Sequence, residues 1–190
     1  MSKKIKKQIK EWIILIGVFG TLYVTGWHTE VIGQLQRLIV ASGIMQAEVL
    51  DESEQLNANY QFSIKNMKGD VVAFEEFKGK TIFLNFWATW CAPCVAEMPD
   101  IYNLYKKLEG REDVAFVLIS VDDDLAKVQQ FIQRKEYEFP IYFLASHRPS
   151  VFQNNTVPTT YIISKEGKIV AKRSGMAKYD TEEIRALFKI

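Results

Sequence analysis

The chain has 190 residues, 48% of them hydrophobic, and a formal net charge of +1 at neutral pH, which suits one packed domain plus an extension. Five lysines against one glutamate give the first eleven residues +4 and leave −3 for the rest, so no basic face remains for a nucleic acid. Two cysteines exclude a structural disulfide framework and a spare metal-ligand pair, which commits both thiols to one site.

The basic tail, 1–11, precedes an apolar run over 12–27 that is interrupted only by Gly17, Gly20, Thr21, Thr25 and Gly26 and bounded by Trp12 and Trp27. A membrane span takes about 20 residues, and flanking polar residues can complete the length. Residues 12–28 therefore read as a transmembrane anchor in membrane lipid, with the tail in the cytoplasm and the rest of the chain outside. The other reading is a signal peptide cleaved near Val24-Thr25-Gly26. In 29–44, Val31, Ile32, Leu35, Leu38 and Ile39 recur at helical spacing. This predicts an amphipathic juxtamembrane helix, on the membrane surface or packed against the domain or a partner. Residues 45–59 are polar and acidic and read as a flexible linker; 60–190 form the folded domain.

That domain opens with Tyr60, Phe62 and Ile64 alternating with polar residues, a turn over 66–70, and a return through Val71 to Phe74: an N-terminal β-hairpin. Thr81-Ile82-Phe83-Leu84-Asn85-Phe86-Trp87 is almost continuously apolar and predicts a strand buried on both faces. Past the cysteines, Val95, Met98, Ile101, Tyr102, Tyr105 and Leu108 keep the period of an amphipathic helix, with Pro99 kinking it. Cys91 and Cys94 thus fall at a strand-to-helix turn. There the free N–H groups and the helix dipole stabilise a Cys91 thiolate, and Cys94, one turn deeper, is placed to resolve a mixed disulfide. Val95 after Cys94 excludes a c-type haem site. Pro93 fits the second helical position at no cost in hydrogen bonds, and Trp90 is expected to shield the sulfur. Glu97, three residues past Cys94, shares its face of the helix, where a carboxylate raises a thiol's pKa and can relay a proton.

Residues 114–121 predict a second buried strand, making a βαβ unit with the first. Asp122-Asp123-Asp124 starts the next helix, metal binding being the alternative reading of the triplet. Residues 141–144 predict a short edge or added strand. Thr159 and Pro158 lead into the strand Thr160-Tyr161-Ile162-Ile163, where statistics alone favour a trans proline. A turn at 164–168 and a return strand follow, then a last helix capped by Asp180. His28 and His147 are isolated and lack ligand spacing.

A lone CxxC also serves zinc ribbons. In the setting Leu84-Asn85-Phe86-Trp87-Ala88-Thr89-Trp90-Cys91-Ala92-Pro93-Cys94, with Glu97-Met98-Pro99 and Val157-Pro158-Thr159-Thr160-Tyr161 downstream, the chain from Tyr60 onward resembles the thioredoxin superfamily. More narrowly it is similar to the membrane-anchored, extracytoplasmic TlpA/ResA-type thiol–disulfide oxidoreductases. The resemblance implies an α/β thioredoxin-like fold, a central mixed sheet flanked by helices. It implies a redox-active Cys91–Cys94 disulfide with no further cofactor or metal, Glu97 as a catalytic acid, and a cis-Pro158 facing the cysteines. Val157, Pro158 and Thr159 would then meet an extended substrate. It also implies protein disulfide or dithiol substrates such as apocytochrome c, and a membrane thiol donor as reductant. Asn85 departs from cytosolic thioredoxins, which bury an aspartate there, so Glu97 or water must serve as the base. Two other classes use the same cysteines: a copper- or client-thiol-binding module, which the lack of a Met- or His-rich tract and Pro158 oppose, and a thiol peroxidase.

Overall fold

The computed structural model describes residues 3–24 and 47–190. Helix α1, Lys3–Val24, carries the apolar run, and Trp12, Ile13, Ile14, Leu15, Ile16 and Val18 on it are all exposed. Among the described residues no helix is long and apolar enough to cross a membrane. The reason is visible in α1: Lys7, Lys10 and Glu11 occupy its first half, and the apolar part up to Val24 spans only about 20 Å at 1.5 Å per residue. The last residues of the predicted span 12–28, and the whole amphipathic stretch 29–44, lie outside the described residues.

The linker expectation for 45–59 fails from Ala47 onward. Strand β1, Glu48–Val49, pairs antiparallel with β8, Ile169–Ser174. Leu50 N–H donates to Val170 O, Ile169 N–H to Leu56 O and Ala58 N–H to Gly167 O. The acidic side chains that suggest a tether point outward, while the backbone they hang from closes the edge of β8, which would otherwise be open for pairing.

The remaining strands are β2 (Ser63–Asn66), β3 (Val71–Ala73), β4 (Thr81–Trp87), β5 (Val114–Ser120), β6 (Ile141–Leu144) and β7 (Thr159–Ile163). They form one eight-stranded sheet in the order β1-β8-β7-β4-β5-β6-β2-β3. β4 runs parallel to β5, and β5 to β6, whereas β7 is antiparallel to β4. β2 and β3 pair antiparallel through the turn at 66–70. β6 is not an edge, because β2 pairs along it.

Every residue of β4 and β5 is buried, so their continuous apolar runs feed two cores. On one face Phe83 and Trp87 meet the helices α2 (Ala92–Leu108), α3 (Leu125–Lys135) and α4 (Glu182–Leu187) through Met98, Ile101, Phe131 and Ile184. On the other, Ile82, Leu84 and Phe86 pack with Phe62, Phe74 and Phe152. This alternation holds β4 rigid at the centre, and its carboxyl end is where the cysteines begin.

The acidic triplet divides its labour. Asp124 N-caps α3, its side chain accepting from Ala126 N–H at 2.9 Å, while Asp123 is exposed. Asp124→Ala should cost about 1 kcal/mol and lower Tm by about 2–4 °C, against no change for Asp123→Ala. Equal thermal melts for the two variants would refute the cap. The last helix differs from expectation: Thr181 caps it, accepting from Ile184 N–H, because Asp180 is held by Lys107 and Arg185.

Candidate active site

β4 delivers the chain to Ala88, the turn crosses Thr89 and Trp90, and Cys91 takes an extended backbone (φ −90°, ψ 102°) as the N-cap of α2. Its Sγ accepts from Cys94 N–H at 3.2 Å, so a free N–H of the first helical turn points at sulfur, as thiolate stabilisation requires. Pro93 stands in that first turn. Cys91 and Cys94 form a disulfide with Cα atoms 5.2 Å apart. Cys91 is 6% exposed and Cys94 is 0% exposed, so an incoming sulfur can reach Cys91 alone. Trp90 is 61% exposed: it offers an aromatic surface beside the site instead of filling the core.

Behind Cys94, Glu97 is fully buried. One carboxyl oxygen accepts from Asn85 Nδ2 at 3.1 Å, the other from Ala177 N–H at 3.1 Å. Burial pushes its pKa up from 4.5 to about 8; the Ala177 and Asn85 donors pull it back, and the charge of Asp100 adds to the rise. The carboxyl is therefore mostly neutral at pH 7. Asn85 donates its second N–H to Thr160 Oγ1 at 2.8 Å, which also accepts from Tyr179 Oη at 2.7 Å. Asn85 Oδ1 is buried without a partner. Strand β4, strand β7 and the segment before α4 thus meet on one carboxyl group.

Opposite the cysteines, the Val157–Pro158 peptide bond is cis, and Val157 O lies 3.5 Å from Cys91 Sγ. Pro158 is buried and Val157 half-buried. Thr159 does not present its side chain to a substrate. It is fully buried in β7, with Oγ1 donating to Thr156 O at 2.8 Å and accepting from Asn154 Nδ2 at 3.0 Å, so it braces the loop that carries Val157.

Asp122 is a supporting residue that a sequence reading misses. Nearly buried, it accepts from Thr89 N–H at 2.9 Å, from Thr89 Oγ1 and from Ser120 Oγ at 2.8 Å. It ties the turn before Cys91 to the end of β5. Among the described residues no group of three or more His, Cys, Asp or Glu side chains could hold a metal ion. His147 is an exposed surface residue, and His28 lies outside the described residues.

A mixed sheet flanked by helices, a disulfide at the strand-to-helix turn and a cis-proline facing it define a thioredoxin-like domain with a CxxC disulfide site. Residues 57–187 match the Redoxin family, and the chain belongs to that family as a TlpA/ResA-type member of the thioredoxin superfamily. It is 31% identical over 115 residues to the thiol–disulfide oxidoreductase ResA of Bacillus cereus, covering 60% of this chain and 66% of that protein. ResA of Halalkalibacterium halodurans is 31% identical over 130 residues, covering 67% of this chain and 73% of the relative. Among solved structures, a thioredoxin-family thiol:disulfide interchange protein from Chlorobium tepidum superposes with a TM-score of 0.57 at 26% identity, over 72% of this chain and 99% of the other. The chain thus spans 66% of the length of the Bacillus cereus relative.

Proposed function

We propose that this protein is an extracytoplasmic thiol–disulfide oxidoreductase working as a reductase of protein disulfides. The observation that carries the reading is the asymmetry of the pair: Cys91 at the rim, Cys94 fully buried, and Glu97 one turn behind Cys94. A Cys91 thiolate attacks one sulfur of the client disulfide; that S–S bond breaks, and the departing client sulfur takes a proton from water. Cys94 then gives its proton to the Glu97 carboxylate and attacks Cys91 Sγ, forming the Cys91–Cys94 bond and releasing the second client sulfur as thiolate. Two electrons pass from protein to client. A thiol donor reopens the pair by the reverse route, in which neutral Glu97 protonates Cys94 as it leaves. A client strand would pair with the backbone of Val157 beside Pro158.

By the family resemblance, the client proposed here is apocytochrome c and the electron donor a membrane thiol carrier. The lysines in the first half of α1, ahead of an apolar run in which Trp12 to Ile16, Val18 and Tyr23 are exposed, support an N-terminal tether, with the basic tail inside and the redox domain outside the cytoplasmic membrane. Related sites span about −270 to −120 mV. Equilibration of the full chain in thiol buffers should give a potential below about −220 mV; a value near −120 mV would make it an oxidase.

A further inference from the structure

A groove of about 390 Å³ opens at the carboxyl ends of β5 and β6. Its apolar part is Val121 and Leu144, and Ser146, Gln153, His147 and Arg148 line the rest with Asn155. Two of its lining residues connect to the segments that flank Cys91. Val121 N–H donates to Trp87 O at 2.9 Å, the residue from which the cysteine turn departs. Asn155 sits two residues before Val157, whose carbonyl oxygen is 3.5 Å from Cys91 Sγ. Carboxyl ends of parallel strands are where open α/β sheets receive ligands, and the strand β4 that leads to the cysteines lies next to β5 in the sheet.

The charge of the groove is one-sided. No Asp or Glu lines it. Arg148 is half-buried and held in place: one guanidinium nitrogen donates to Asn154 O at 2.8 Å, and the guanidinium carbon lies 4.9 Å from the centre of the Phe86 ring. It has no acidic partner among the described residues. A guanidinium fixed in this way keeps donors free for a carboxylate without the entropic cost of immobilising a loose side chain. His147 stands exposed next to it. The groove under the β2–β3 turn, by contrast, carries Lys65 and Lys68 with Asp122 and Asp123, and so selects neither sign.

We infer that the Arg148 groove docks an extended segment of the client that carries an acidic side chain close to its disulfide. The inference rests on the reductase reading above and names the substrate class that this site prefers. The test uses the reduced full chain and three probes: hydroxyethyl disulfide, and two Gly/Ser peptide disulfides that differ only in Glu or Lys two residues from the cysteine. The Glu peptide should be reduced about tenfold faster than the Lys peptide at low ionic strength, and the ratio should shrink as salt rises. Arg148→Gln should bring the ratio near one, and His147→Glu, at an exposed position, should lower it, both with hydroxyethyl disulfide reduced at the wild-type rate. Equal rates for the two peptides in the wild type, with hydroxyethyl disulfide reduced, overturn the groove and leave the reductase standing. No reduction of any probe overturns both.

Discussion

Glu97→Gln should slow reduction of a protein disulfide by about 10²-fold or more and flatten the rate between pH 7 and 9. General acid–base catalysis is worth roughly 10²–10⁴-fold, and Glu97 is the carboxyl group one helical turn from Cys94. With its pKa pushed to about 8, the carboxylate that must take the Cys94 proton grows as pH rises. The resolving step of the wild type therefore accelerates through pH 8, and the reverse opening by a thiol donor slows there because it needs the neutral acid. The glutamine amide can do neither. Single-turnover fluorescence across pH reads both limbs; a variant that keeps a limb near pH 8 in the resolving step would assign that limb to Cys91 and remove Glu97 from proton transfer.

The same substitution has a stability signature of known sign. A carboxyl whose pKa is raised from 4.5 to about 8 by burial is protonated more readily in the folded than in the unfolded chain. Its stabilising contribution is complete below pH 4.5, fades as pH rises, and is gone above about 8. At pH 9 the oxidised wild type holds a buried charge that the variant lacks, and Glu97→Gln should melt higher by about 10 °C. At pH 5 the two should melt together. The glutamine oxygen still accepts from Ala177 N–H, and once the Asn85 amide turns over its oxygen accepts from the glutamine amide, in exchange for the Asn85 Nδ2 bond to Thr160 Oγ1.

Glu97 was within reach of a sequence reading for a local reason: helical periodicity after Cys94 puts position i+3 on the same face. β4 was legible from its apolar run, and Asn85 stood out as the polar residue inside it. What surrounds Glu97 was not legible. Ala177 N–H, Thr160 and Tyr179 reach the carboxyl network from separations of 63 to 82 positions, and no spacing rule links a tyrosine before the last helix to an asparagine in the central strand. The mixed composition of 45–59 misled in the opposite way. Acidic side chains report solvent on one side of a segment, and say nothing of backbone groups pairing with β8 on the other. The two tryptophans of the motif show how much the turn decides: Trp90, expected beside the sulfur, is 61% exposed. Trp87, three residues earlier, is fully buried against Phe131 at 5.4 Å.

Asp122→Ala should lower Tm by about 10 °C and weaken the active site as well as the fold. The substitution leaves Thr89 N–H, Thr89 Oγ1 and Ser120 Oγ without their shared acceptor. Unpaired groups of this kind cost about 1–3 kcal/mol each when buried, less where water can enter, so a total of about 3 kcal/mol is expected. The functional loss comes from geometry. Thr89 is two residues from Cys91, and a sulfur displaced by about 1 Å costs up to 10²-fold in rate. Cys91 would also meet Cys94 less readily, shifting the disulfide equilibrium about tenfold toward the dithiol and raising the potential by about 30 mV. Asp122→Asn, which keeps one oxygen for the Thr89 N–H and the Ser120 hydroxyl and turns its amide toward Thr89 Oγ1 as a donor, should recover most of the rate and the potential. Measured well below Tm, a potential and a rate unchanged in Asp122→Ala would reduce Asp122 to a stability element; recovery of both by asparagine would make it the residue that aims the attacking sulfur.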